Sequence, residues 1–80
     1  MVSPTVKIVG PYRFFFYANE LGESPHIHVR RDRCVAKFWL DPVVLARSKR
    51  FTAQDLTQIE KIVREHEEEF MEAWNGFFSG

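Results

Sequence analysis

The residues best suited to chemistry are two histidines separated by one residue, His26 and His28, which follow Pro25 in the stretch SPHIHV. Imidazole has an unperturbed pKa near neutral pH, so it can act as a general acid or base and can also bind a metal ion. In a β-strand, side chains two residues apart point to the same face of the sheet. A strand over this stretch would therefore align both imidazoles with the guanidinium of Arg30.

Three interpretations fit such a row of side chains. In a metal-independent ribonuclease, His26 and His28 would be the acid and base that move the proton of the 2′-hydroxyl. Arg30 and Lys37 would then hold the phosphate and stabilise its developing charge. In a metal-binding protein the two imidazoles would instead be ligands. In the third interpretation the row is the solvated polar face of an exposed strand.

A metal site needs a third ligand, and His66 is the only remaining histidine. His66 occupies an apolar helical position, so it is either a ligand or a core residue that hydrogen-bonds a buried polar group. The three rings meet only if the helix covers the histidine face, and Cys34 or Glu67 would then complete the shell. Outside such a metal site, Cys34 is expected to be structural. The sequence predicts no cofactor.

The face opposite the histidines carries Ile27 and Val29, which favours it as the core side. Neighbouring strands would then add cations and aromatic rings to the histidine face: Arg13, Phe15, Tyr17, Lys37 and Trp39. The strands YRFFFYA and VAKFWL are apolar on both faces, however. The sequence therefore leaves open the alternative in which the helix covers the histidines.

The first half of the chain is typical of short β-strands. The segments TVKIV, YRFFFYA, HIHVR and VAKFWL have high β-propensity, and turn-forming or charged residues separate them. Connections this short predict an antiparallel meander, because parallel strands need a long crossover.

The strand pattern ends at Asp41, where an N-cap residue followed by proline predicts one helical turn over DPVVLA. The next four residues, RSKR, are expected to form a basic surface loop. Its cations, Arg47, Lys49 and Arg50, are candidates for binding phosphate.

Thr52 is predicted to cap a long amphipathic C-terminal helix, with Asp55 completing a capping box. The predicted fold is therefore α+β: a four-stranded antiparallel meander, a short helical turn, and one long helix packed across the sheet. All 80 residues, 1–80, are assigned to a single domain.

Composition and charge narrow the classes of protein. The single cysteine excludes an internal disulfide, and no apolar run approaches the roughly 20 residues of a membrane span. The N-terminus lacks the layout of a signal peptide, so we expect a cytoplasmic protein without membrane contact. Net charge is zero, yet nine Lys/Arg and four Asp/Glu precede Phe51, whereas two and seven follow it. A basic first part of this kind attracts phosphate or acidic protein.

Four segments of the chain, PTVKIVGPYRFFFYANE, SPHIHV, AKFWLDPVVLA and VREHEEEFMEAW, together resemble a family of small bacterial proteins named domain of unknown function 4160. The resemblance covers nearly the whole chain and transfers no activity. Family members resemble partners in small two-gene units, similar to toxin and antitoxin pairs. The resemblance implies an interaction module that binds a cognate protein and possibly RNA.

Aromatic residues are abundant, with eight Phe, two Trp and two Tyr. One face of a small sheet cannot bury so many rings, so we expect an exposed aromatic surface. Such a surface favours burial against a cognate protein or a second copy of the chain. Phe77 and Phe78 are candidate members of that interface.

Overall fold

A five-stranded antiparallel sheet and two helices form the part of the chain that the structure, a computed structural model, describes: residues 5–20 and 22–79. The single-domain prediction over 1–80 includes residues outside this part. The strands follow each other in space in the order β1-β2-β3-β4-β5. Their bounds are β1 Thr5–Val9, β2 Tyr12–Phe15, β3 His26–Arg31, β4 Cys34–Leu40 and β5 Val43–Lys49, and the helices are α1 Ala53–Glu65 and α2 Glu67–Ser79.

The α+β class and the antiparallel meander are confirmed, but the sheet has a fifth strand. The predicted helical turn over DPVVLA and the loop RSKR are wrong, because Val43–Lys49 pairs with β4. Asp41 and Pro42, joined by a cis peptide bond, form the turn between the two strands. The β-branched valines and the hydrogen-bonding edge of β4 favour pairing over the N-cap signal.

A β-bulge in β5 decides which side chains of that strand reach the core. Lys37 pairs with Arg47 and Phe38 pairs with Leu45, so Ala46 is an extra residue without a partner on β4. Without the bulge, Leu45 and Arg47 would share one face, because they are two residues apart. With it, Leu45 packs against the core and Arg47 points to the other face.

The predicted capping box at the start of α1 is confirmed. Thr52 Oγ1 accepts a hydrogen bond from the Asp55 amide at 3.0 Å, and the Asp55 carboxylate accepts one from the Thr52 amide at 3.1 Å. The prediction of a single long helix is wrong in one detail. The chain leaves helical geometry at His66, and a second helix, α2, begins at Glu67. No helix in the described residues is long and apolar enough to span a membrane.

Both helices cover the sheet face that carries Ile27 and Val29, as the sequence favoured, and these two residues are fully buried. The ring of Phe14 lies 5.2 Å from that of Phe70 on α2, and Phe16 lies 5.2 Å from Trp74. The opposite face of the sheet, which carries Phe15, His28, Lys37 and Arg47, is called the open face below.

Most aromatic rings are buried, and the expected exposed aromatic surface is limited to the rings of Tyr17 and Phe77 in the described residues. Among the large apolar side chains of the described residues, only Ile8, Tyr17, Val44 and Phe77 are exposed. Phe78 is half-buried and packs 4.1 Å from the ring of Trp74. A five-stranded sheet with two helices buries more rings than the predicted four strands and one helix would.

Candidate functional site

Strand pairing aligns the candidate residues of the open face in two rows across β2, β3, β4 and β5. The register places Phe15, His28, Lys37 and Arg47 in one row. It places Arg13, Arg30, Val35 and Lys49 in the other. Since paired residues share a face of the sheet, the alignment predicted for β2, β3 and β4 is present.

All residues of these two rows except Arg13 line a half-open groove of about 440 Å³. Its lining includes the rings of Phe15 and Tyr17, the His28 imidazole, and the cations Arg30, Lys37, Arg47 and Lys49. The Tyr17 ring is exposed and lies edge-on to both Phe15 and His28, at centroid distances of 5.3 and 4.6 Å. The groove thus combines positive charge with one accessible aromatic ring.

Three cations of the groove have no compensating partner. Arg30, Arg47 and Lys49 are exposed, and none of their side chains makes a hydrogen bond or ion pair with a described residue. Arg13 lies opposite Arg30, and Lys37 lies opposite Arg47. Like charges opposite each other on neighbouring strands are destabilising.

Two other cations of this face are engaged within the chain. The Lys37 ammonium donates a hydrogen bond to Glu23 at 2.8 Å and lies 4.5 Å above the Trp39 ring. That hydrogen bond lowers the pKa of the Glu23 carboxyl below its ordinary value. Arg13 donates to Thr5 Oγ1 at 2.8 Å and stacks over Phe15. Neither of these side chains is available to a ligand without a rearrangement.

Three predicted binding residues, Arg13, Trp39 and Arg50, lie outside the groove lining. Trp39 is half-buried between His26 and Lys37, with its ring 5.7 Å from that of His26. Arg50 is exposed in the connection between β5 and α1, where its backbone has a positive φ of 74°. The basic segment at 47–50 is therefore split, because its first three residues continue β5.

Both histidines of β3 are buried, unlike those of a solvated strand. His26 is fully buried and His28 is only 6% exposed. The connection between β2 and β3 folds over them and inserts Glu20, whose carboxylate Oε2 lies 2.9 Å from His26 Nε2 and 2.8 Å from His28 Nε2. These three residues, the histidine cluster below, are the group of possible metal ligands that the described part of the chain brings together.

Hydrogen bonds and burial set the protonation of the cluster. Burial acts to raise the pKa of the Glu20 carboxyl, but hydrogen bonds from His28 and the Tyr17 amide outweigh it, so the pKa lies below its ordinary 4.5. Burial lowers the pKa of His28 below its ordinary 6.5, more than the Glu20 carboxylate raises it. At neutral pH the cluster therefore pairs an ionised carboxylate with a neutral His28, whose Nε2–H donates to Glu20.

The geometry separates the two candidate catalytic histidines. His28 lines the groove, whereas His26 does not and is covered by the rings of Trp39 and Trp74. Of the two histidines, only His28 can contact a ligand in the groove. An acid and base pair of His26 and His28 acting on one substrate is therefore not favoured by this arrangement.

The third residue of the histidine cluster is Glu20, and sequence reasoning missed it. His66, the predicted third ligand, lies at the end of α1, where its Nδ1 is 3.3 Å from Glu69 and its ring contacts Phe70. His66, Cys34 and Glu67 are outside the cluster. The spacing E-x5-H-x-H is the sequence signal that could have identified Glu20. The five residues between Glu20 and His26 are enough for the acid to fold back over the strand.

Comparison with known proteins gives one match. A family model described as Domain of unknown function (DUF4160) matches residues 12–75, which include β2 to α1, most of α2 and every residue of the groove and the histidine cluster. No curated protein and no solved structure matches the chain.

Proposed function

The chain belongs to the DUF4160 family, whose description assigns no activity, and we propose that it is a binding module that holds single-stranded RNA in the groove of its open face. The observation that carries the proposal is the presence of three exposed cations, Arg30, Arg47 and Lys49, without partners in the described residues. A polyanion would supply the negative charge that the described residues do not provide to these three side chains.

Electrostatics favour a ligand with several negative charges. Opposed cations in the pairs Arg13 with Arg30 and Lys37 with Arg47 repel each other across neighbouring strands. Lys37 pairs with Glu23, and that carboxylate is itself nearly half-exposed. Phosphates bound to Arg30 and Arg47 would offset the repulsion, and their counterions would be released to the solvent.

Single-stranded RNA fits the remaining features of the groove better than an acidic protein segment does. The exposed Tyr17 ring is held in one orientation by its edge-on contacts with Phe15 and His28. Such a ring is a stacking platform for a base, and stacking beside a line of cations is how sequence-tolerant single-strand binding works. The helices on the opposite side carry seven of the eleven acidic residues of the chain, so they repel RNA and direct it to the open face.

The proposal extends to a toxin-antitoxin-like pair. In such a pair, a small cognate protein would act by covering the same groove with an acidic segment. RNA and the partner would then exclude each other, because both would need Arg30, Arg47 and Lys49.

The test is fluorescence anisotropy with a short labelled single-stranded RNA. We expect binding that weakens with salt, and a large loss of affinity in the double variant Arg30→Gln/Arg47→Gln. The matched control is Arg33→Gln/Lys61→Gln, which removes the same charge from exposed positions outside the groove lining. The logarithm of the binding constant should fall linearly with the logarithm of the salt concentration. Each lost phosphate contact should make this slope less steep by about 0.7.

Three results would change the proposal. Equal losses in the groove variant and the control would mean that net charge, and not the groove, binds RNA. Absence of binding by the wild type at low salt would reject RNA as the ligand. RNA fragments produced by the wild type but not by His28→Ala would replace binding by the ribonuclease alternative.

A further inference from the structure

The donor atoms of the histidine cluster already have the spacing of a metal shell. Ligand atoms of Glu20, His26 and His28 all lie within 4.8 Å of one another, and Glu20 Oε2 is 2.9 and 2.8 Å from the two imidazole Nε2 atoms. In a zinc shell with bonds of about 2.0–2.2 Å, neighbouring donors are roughly 3 Å apart. Little movement is needed to place these donors around one ion.

His26 Nε2 is the observation that points to a ligand. His26 Nδ1 lies 2.9 Å from the Ser24 carbonyl oxygen, which can only accept a hydrogen bond, so Nδ1 carries the proton and Nε2 presents a lone pair. His26 Nε2 is completely buried and is the one buried side-chain polar atom in the described residues without a hydrogen-bond partner.

The neighbour of this lone pair is a carboxylate. Glu20 Oε2 is 2.9 Å from His26 Nε2, but off the direction of a ring N–H, so protonating Nε2 would not create a well-directed hydrogen bond. A lone pair and a carboxylate repel at this distance. A cation bound to both atoms converts the repulsion into two favourable bonds.

Hydrogen bonds to the outer side of the cluster orient its donors. Metal-binding histidines commonly donate the other ring N–H to a carbonyl or carboxylate, and His26 does so to Ser24. Glu20 Oε1 accepts the Tyr17 amide at 3.0 Å, which directs Oε2 toward the two imidazoles.

We propose that Glu20 Oε2, His26 Nε2 and His28 Nε2 bind one divalent transition-metal ion. His28, which now donates Nε2–H to Glu20, would carry its single proton on Nδ1 when the ion is bound. Two imidazoles and one carboxylate suit Zn²⁺, Fe²⁺, Co²⁺ or Ni²⁺ better than Mg²⁺ or Ca²⁺, which prefer all-oxygen shells. Three protein donors leave at least one coordination position for water or an anion.

The test is calorimetric titration of Zn²⁺ into the full chain after chelation and dialysis, with Mg²⁺ as the comparison ion. We expect one Zn²⁺ per chain and no comparable binding of Mg²⁺. Loss of an orienting group around a metal typically weakens binding about 10- to 100-fold, so loss of a ligand in Glu20→Gln or His28→Asn should weaken it at least that much. The controls His66→Gln and Cys34→Ser, outside the cluster, should bind as the wild type does.

A wild-type measurement keeps the proposal testable if a cluster variant does not fold. In ¹⁵N NMR spectra, one equivalent of Zn²⁺ should shift the Nε2 signals of His26 and His28 and leave those of His66 unchanged. Absence of stoichiometric binding by the wild type would overturn the proposal. Binding that is lost in His66→Gln or Cys34→Ser, or that leaves the His26 and His28 signals unchanged, would overturn it as well.

Discussion

Arg30 and Arg31 are adjacent in β3 and chemically identical, yet they lie in opposite environments. Arg31 points to the helix side, where its guanidinium donates to both oxygens of Asp55 at 3.2 and 3.3 Å and lies over the rings of Tyr12 and Phe51. Arg30 points to the open face, where it is exposed and lines the groove without a partner in the described residues. One peptide unit therefore separates a structural arginine from a proposed binding arginine.

This difference shows how the fold divides its charges. On the covered face, the bidentate pair of Arg31 and Asp55 connects β3 to the first turn of α1, and the same carboxylate completes the capping box. On the open face, Arg30, Arg47 and Lys49 have no partner among the described residues, even though an acidic partner would have relieved their repulsion. Charges that the fold needs are paired, and those that it leaves unpaired are available to a ligand.

The largest effect on stability should come from truncating a buried aromatic residue of the covered face, compared with an exposed one of the open face. Phe14 is fully buried against Phe70, so Phe14→Ala should lower the free energy of unfolding by about 3–5 kcal/mol, enough to unfold much of so small a domain. Tyr17→Ala on the open face is the control and should cost much less, because the Tyr17 ring is exposed. Urea denaturation measures both, and similar losses would contradict the division into a covered and an open face.

A smaller effect should separate the two arginines. Arg31→Gln should lower Tm by several degrees, because it breaks both hydrogen bonds to Asp55 and the packing over two rings. Arg30→Gln should leave Tm unchanged or slightly higher, since it removes repulsion from Arg13. In double-mutant cycles with Asp55→Asn, Arg31 should show coupling and Arg30 should not. Coupling of Arg30 to Asp55 would contradict the assignment of the two arginines to opposite environments.

The smallest effect should appear at acid pH. Hydrogen bonds from Arg31 and the Thr52 amide hold the pKa of the Asp55 carboxyl below its ordinary 3.8. The stability that ionised Asp55 contributes is fully present above this ordinary value and is lost as the pH falls through the lower folded-state pKa. Thermal melts should therefore show a shallower acid decline for Asp55→Asn than for wild type. A residual decline remains in the variant, since Glu20 and Glu23 also have lowered pKa values. Parallel declines would mean that Arg31 does not hold Asp55 ionised.

Local patterns in the sequence predicted much of the fold. The alternation in HIHVR favoured the face of β3 that the helices cover, because the apolar Ile27 and Val29 point to one face and the imidazoles of His26 and His28 to the other. The capping box at Thr52 and Asp55 depends on residues three apart, so it too was visible. The fifth strand was not, because the N-cap signal at Asp41 is local and the pairing of β5 with β4 is not.

The candidate site was predicted in outline and not in detail. Strand alternation and short connections aligned Arg13, Arg30 and Lys37 on one face, and the structure shows that register. Alternation could not reveal that Glu23 neutralises Lys37, or that Glu20 covers the two histidines. Both acidic residues lie in the connection between β2 and β3. In a connection the side chains do not alternate regularly between two faces, so the sequence does not predict where they point.

The sequence by itself determined the α+β class, the meander, the helix-covered face of β3 and the division into a basic and an acidic part, because periodicity, propensity and charge are properties of neighbouring residues. Only the tertiary structure decided that Glu20 meets His26 and His28, that Ala46 bulges and turns Arg47 to the groove, and that His66 lies apart. These outcomes depend on how a loop folds over a sheet and how one strand registers on another. Contacts of that kind are selected by the packing of the whole domain.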